Sequence, residues 1–99
     1  MAAIPIDRDH LSDFCQRWRI TELALFGSVL RDDFRSDSDV DILVTFAPDA
    51  PWSLWDLSRM RLELEEMFGR EVDLVEKKGL RNPFRRQAIL EGQRVIYAA

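Results

Sequence analysis

Cysteine is almost missing from this 99-residue chain. Cys15 stands alone, so neither an internal disulfide nor a cysteine-built metal site can form. There is one histidine, one tyrosine and four glycines, and no repeat, low-complexity tract or linker divides the sequence. Long apolar runs are lacking too. Segments such as Leu23-Ala24-Leu25-Phe26 fall far short of the ~20 residues of a membrane span. The early acids Asp7, Asp9 and Asp13 do not suit a secretory leader. Positive charge is in deficit: 14 Lys and Arg against 18 Asp and Glu leave a net charge of −4 and a pI near 4.9. That balance argues against a general nucleic-acid coat protein, which carries a basic face. What is present is a globular composition, 46% hydrophobic and 32% charged. It is expected to fold as one soluble, cytoplasmic domain over residues 1–99. A chain this short buries only ~60–65% of its unfolded surface, which leaves little room for a separate substrate domain.

Helical and strand patterns alternate along the chain. Asp7 can cap a first helix whose Leu11, Phe14 and Trp18 share a stripe. Glu22 to Phe26 reads as a buried strand ended by Gly27-Ser28, with a short helical segment through about Phe34 and a loop over Arg35 to Ser38. Asp39 to Phe46 is the second strand. The clearest helix runs from Ser53 to Phe68, with a Ser53/Asp56 capping box, a Trp52/Leu57 staple, an inner face of Leu57, Met60, Leu64 and Met67, and Gly69 as its stop. Glu71 to Glu76 is a third strand. Asn82 and Pro83 open a last helix that Gly92 stops, and Val95 to Tyr97 forms a short edge strand. The class is α/β, a small mixed sheet of three to four strands flanked by about four helices.

Three features carry chemistry: Gly27-Ser28, the pair Asp39 and Asp41, and Asp73. Strand side chains alternate, so Asp39 and Asp41 share a face, with Cα atoms about 6.6 Å apart, while Val40 and Ile42 face the core. Two carboxylates at that spacing repel unless a cation lies between them. Mg²⁺ suits the role, because it favours one or two carboxylates together with substrate phosphates. Asp73, an acid inside Val72-Asp73-Leu74-Val75, adds a ligand to a two-metal site with ions ~3.5–4 Å apart if the third strand neighbours the second. Gly27 lets the backbone approach a phosphate, and the helix start after Ser28 offers unpaired N–H groups. Taken singly, each feature has a plainer reading: a turn, a solvated strand end, an edge charge that blocks aggregation. Their order and spacing set those readings aside.

Gly27-Ser28, ten residues, then Asp39-Val40-Asp41 resembles the signature of nucleotidyltransferases of the DNA polymerase beta superfamily. The stretches Leu25 to Phe34 and Ser36 to Val44 are similar to the minimal nucleotidyltransferases, and the likeness extends through Arg70 to Val75 and Ile89 to Tyr97. The resemblance implies Mg²⁺-dependent transfer of AMP from ATP to a hydroxyl. It also implies a partner, a HEPN-domain ribonuclease toxin that such proteins modify on tyrosine as antitoxins, in a hetero-oligomer. By that likeness Gly27 and Ser28 match the phosphate-binding turn, and Asp39 and Asp41 match the metal pair. Asp73 matches the third carboxylate, which ligates metal and helps deprotonate the acceptor. Arg31 matches an arginine that either contacts phosphate or forms a structural ion pair. A non-catalytic antitoxin that only covers its toxin, and a transferase acting on RNA or a small molecule, are the competing readings. The three intact acids favour chemistry over the first. The acidic pI disfavours stable nucleic-acid binding.

Other residues carry weaker expectations. The basic run Lys77, Lys78, Arg81, Arg85 and Arg86 either helps hold triphosphate, meets an acidic partner face, or is a solvated helix start. Trp52 and Trp55 could stack on adenine, but are read as staple and core. His10 reads as a surface residue, Cys15 as a partly buried small apolar one, and Tyr97 as packing.

Overall fold

The structure, a computed structural model, describes residues 6–27 and 39–99. The expected short helix through Phe34 and the loop to Ser38 lie outside the described residues, as do Ser28 and Arg31. Three α-helices, α1 (Arg8–Arg17), α2 (Leu54–Phe68) and α3 (Pro83–Gly92), accompany four strands, β1 (Ile20–Phe26), β2 (Val40–Phe46), β3 (Val72–Glu76) and β4 (Arg94–Ala98). A 3-10 turn, Lys77–Gly79, links β3 to α3. No helix among the described residues is long and apolar enough to cross a membrane.

Local chemistry sets the helix ends. The Asp7 carboxylate accepts from the Asp9 and His10 amides at the start of α1. Ser53 and Asp56 exchange the two bonds of a capping box on α2, and Gly69 ends that helix at φ +69°, a conformation glycine adopts without a Cβ penalty. Asn82 caps α3 ahead of Pro83. Gly92 behaves differently from its expected role as a stop: it is the last helical residue, and extended Gln93 follows. β1 starts two residues earlier than its pattern indicates, because Ile20 is buried opposite Phe46. β2 and β3 start one residue later, at Val40 and Val72.

The sheet order is β3-β2-β1-β4. β1 runs antiparallel to β2 and β4, and β2 runs parallel to β3 through the α2 crossover. The sheet is therefore mixed, with a dense face and a thin one. Leu11 and Phe14 from α1 and Met60, Leu64 and Phe68 from α2 cover Leu23, Leu25, Val40, Ile42 and Val44 on the dense face. On the thin face Ala24, Phe26, Leu43 and Leu80 form a small cluster against which Ile89 and Leu90 of α3 pack. Cys15 is wholly buried on the dense face rather than partly exposed, and burial pushes its thiol up to about 12. Tyr97 packs half-buried on the same cluster, and His10 is exposed.

Candidate functional site

β1 ends, and β2 and β3 begin, at one end of the sheet, and that is where the acids gather. In the parallel ladder Asp41 pairs with Asp73, and in the antiparallel ladder Asp41 pairs with Phe26. Directly paired residues on neighbouring strands share a face and sit ~4.8 Å apart. Val40 and Ile42 point into the dense core, so alternation turns Asp41 and Asp73 to the thin face, beyond the part covered by Ile89 and Leu90. Asp39 lies one residue before β2 and is exposed, Asp41 is half-buried, and Asp73 is exposed. The condition set for Asp73 holds: the third strand does neighbour the second, in the register that sets the two acids side by side.

Gly27 closes the group from the β1 side. It holds φ +75°, in the left-handed region that favours glycine. A Cβ at this position would overlap Oδ2 of Asp41 and lie 3.2 Å from its Cγ. Sequence reasoning assigned this glycine to phosphate approach; the structure adds that it makes room for the Asp41 carboxylate. Only the pairing of Phe26 with Asp41 reveals that second role, and pairing is not visible in a single sequence. Of the predicted site residues, Gly27, Asp39, Asp41 and Asp73 stand at one end of the sheet. Gln93, which the sequence reading did not single out, enters β4 at the same end with its Oε1 buried and unpartnered among the described residues. A polar side chain between Gly92 and an apolar strand was its one signal.

Two other expectations resolve by position. The basic run follows β3, so it lies at the opposite end of the strands from the acids. Lys77 pairs with Glu22 near the start of β1, at 3.9 Å, and Lys78 lines a pocket with Phe46 and Pro48 beyond β2. Lys77 and Lys78 therefore stand away from the acids. Neither tryptophan serves the acid end, because α2 covers the other face. Trp52 packs edge-on against Trp18, ring centroids 5.1 Å apart, and its Nε1 donates to the Trp18 carbonyl at 2.6 Å. Trp55 is 81% exposed, contrary to the core reading, because it lies about 200° around α2 from Leu57 on the inner face.

The donor chemistry fits a hard divalent ion. Adjacent carboxylates repel, which a cation between them relieves, and all the acidic donors here are oxygens. Among the described residues no three acids, imidazoles or thiols close into a ready-made cage. Mg²⁺ does not ask for one, since it takes one or two carboxylates and completes its octahedron with water and phosphate. The glycine cradle beside Asp41 is where a phosphate-bearing ligand could approach the backbone closely.

Known proteins share sequence and fold with this chain. The chain is 35% identical over 88 residues to the protein adenylyltransferase MntA of Thermococcus cleftensis, covering 89% of this chain and 84% of that protein. A solved structure provisionally named a minimal nucleotidyltransferase superposes with a TM-score of 0.71 at 36% identity, covering 88% of this chain and 86% of the other. The complex of a tri-AMPylated Shewanella oneidensis HEPN toxin with its MNT antitoxin shares the fold at a TM-score of 0.65 and 16% identity, covering 93% and 70%. Across residues 8–96 the sequence matches the nucleotidyltransferase domain, and the chain belongs to that family.

Proposed function

We propose that this chain transfers AMP from ATP to a tyrosine hydroxyl of a partner HEPN-domain protein and thereby acts as its antitoxin. The observation that carries the reading is the in-register pair Asp41 and Asp73 beside Gly27, which unites carboxylates with a close-approach turn. The names of MntA and of the HEPN–MNT complex support the protein acceptor.

In this mechanism Gly27 and Ser28 hold the triphosphate at the end of β1, and Asp39, Asp41 and Asp73 would hold Mg²⁺. The ion, when bound, neutralises phosphate charge and fixes geometry. The acceptor oxygen forms a bond to the α-phosphorus while the bond to the β-bridging oxygen breaks, and pyrophosphate leaves in line. The Asp73 carboxylate, exposed on the thin face, accepts the hydroxyl proton once the partner brings it within hydrogen-bond reach. A docked protein supplies its own acceptor, so positioning comes from an interface.

Intact-mass spectrometry of a candidate HEPN-domain partner from the same genome, after incubation with this chain and Mg·ATP, tests the reading. Mass should rise in steps of ~329 Da, one AMP each, located on tyrosine. An unmodified partner alongside efficient transfer to RNA or a small molecule would overturn it.

A further inference from the structure

Besides the acid end, a second charged surface forms where the turn after β3 leads into α3. Lys77 and Arg86 are engaged there, Lys77 with Glu22 and Arg86 through a 3.1 Å bond from Nη1 to the Lys77 carbonyl. Lys78, Arg81 and Arg85 are exposed, and their side chains have no partner among the described residues. Phe84, beside Arg85, is 84% exposed. Neither feature helps the fold. An exposed phenyl ring forfeits its burial energy, and a cation in the first turn of a helix opposes the macrodipole. α1 and α2 follow the favourable rule, with Asp9 and Asp56 in that turn; α3 has no acid there.

α3 also joins this patch to the acids. Its ten residues span ~15 Å, leading to β4, whose Arg94 pairs with Leu25 at the acid end. Pro83, Arg86, Gln87, Leu90 and Glu91, spaced to share one side of the helix, line a shallow groove of about 330 Å³.

We propose that α3 and the turn before it form the docking surface for the protein that receives the nucleotide, with an acidic segment of that partner seated on Lys78, Arg81 and Arg85 around Phe84. The proposal rests on the reading that the acceptor is a protein. Charge defines the occupant, since three cations without a partner among the described residues call for carboxylates, while Phe84 and the apolar part of the groove call for apolar side chains. Aromatic residues and arginines are also the side chains that dominate interface energetics. A nucleic acid following the same helix would carry its phosphates to Asp39, Asp41 and Asp73, which repel them. Anchoring the partner at one end leaves the nucleotide end unobstructed, and α3 guides the acceptor hydroxyl from one to the other.

The test uses the full chain and that candidate HEPN-domain partner, with affinity measured at about 50 and about 300 mM salt. The wild-type complex should weaken with salt. Lys78→Glu/Arg81→Glu/Arg85→Glu should weaken it at least ~30-fold, chiefly through association rate, and Phe84→Ala about 10-fold. Binding of Mg with a non-hydrolysable ATP analogue and the melting temperature should not change, and exposed Phe84 keeps the test interpretable if the triple variant folds poorly. Unchanged affinity in both variants, no wild-type complex, or capture of an RNA homopolymer by these cations in place of the protein would each overturn the docking surface. A salt-sensitive, Phe84-dependent complex whose partner gains no AMP would support the surface and refute the transfer reading instead.

Discussion

Among the described residues, fourteen buried side chains close into one cluster on the face of the sheet beneath α1 and α2; on the face beneath α3, four do. α3 itself buries no residue. Folding free energy scales with apolar area removed from water, so the dense face carries most of the stability and the thin face is spared for chemistry. Asp41 and Asp73 can sit at a strand start there without entering a dry core, where an unpaired carboxylate would be costly. The division explains how a short chain holds adjacent acids and still folds.

The largest effect that would break this comparison concerns the acids. Asp39→Asn/Asp41→Asn should cut AMP transfer at least ~1,000-fold, about 4 kcal/mol in barrier, while the melting temperature stays within about 4 °C. Labelled-AMP incorporation and thermal melts read both; a double variant that unfolds would mean that the thin face bears stability after all. Next in size, Leu64→Ala on the dense face should cost about 3 kcal/mol, against about 1 kcal/mol for half-buried Leu90→Ala on the thin face, in urea titrations. Equal costs would erase the distinction. Gly27→Ala should reduce transfer ~10–100-fold, because the new methyl displaces the Asp41 carboxylate and the left-handed backbone disfavours alanine; its cost in stability should be about 1 kcal/mol. Smallest is the alkaline response of Cys15. The unfolded thiol ionises near 9.0 and the folded one at about 12, so the unfolded state holds fewer protons in that window and stability falls as pH rises through it. The loss should reach about 1 kcal/mol by roughly pH 10 and vanish in Cys15→Ala.

What could be read ahead of the structure was local. The caps at Asp7, Ser53 and Asn82 and the stop at Gly69 follow from side chains reaching their own neighbouring backbone, so a window of a few residues contains the answer. The acid pair Asp39 and Asp41 was equally legible, through strand alternation. Pairing across the sheet was not. That Asp73 lies beside Asp41, and that Gly27 clears space for it, depends on strand order and register. The basic run left triphosphate, an acidic partner face and a solvated helix start open as readings, because only the direction of β3 shows at which end of the sheet Lys77 and Lys78 lie. Trp55 lies off the Leu57, Met60 and Leu64 face of α2, so its exposure was legible in the helical spacing and the core reading passed over it. Phe84 escaped notice because an aromatic at a helix start is equally at home in a core.

The parallel pairing of β2 with β3 has a consequence for how such a chain can vary over time. Everything between Phe46 and Val72, the α2 crossover included, is route, and route length does not alter which way Asp73 points. Parity within the strands does. One residue inserted between Val40 and Asp41, or between Val72 and Asp73, puts that valine and that acid on the same face, so either the acid enters the dense core or the valine turns out to solvent. Changes of two would shift the acid along the strand yet leave it on its face. Length drift is therefore tolerable in the connections, whereas inside the two acid-bearing strands it is counted in even steps.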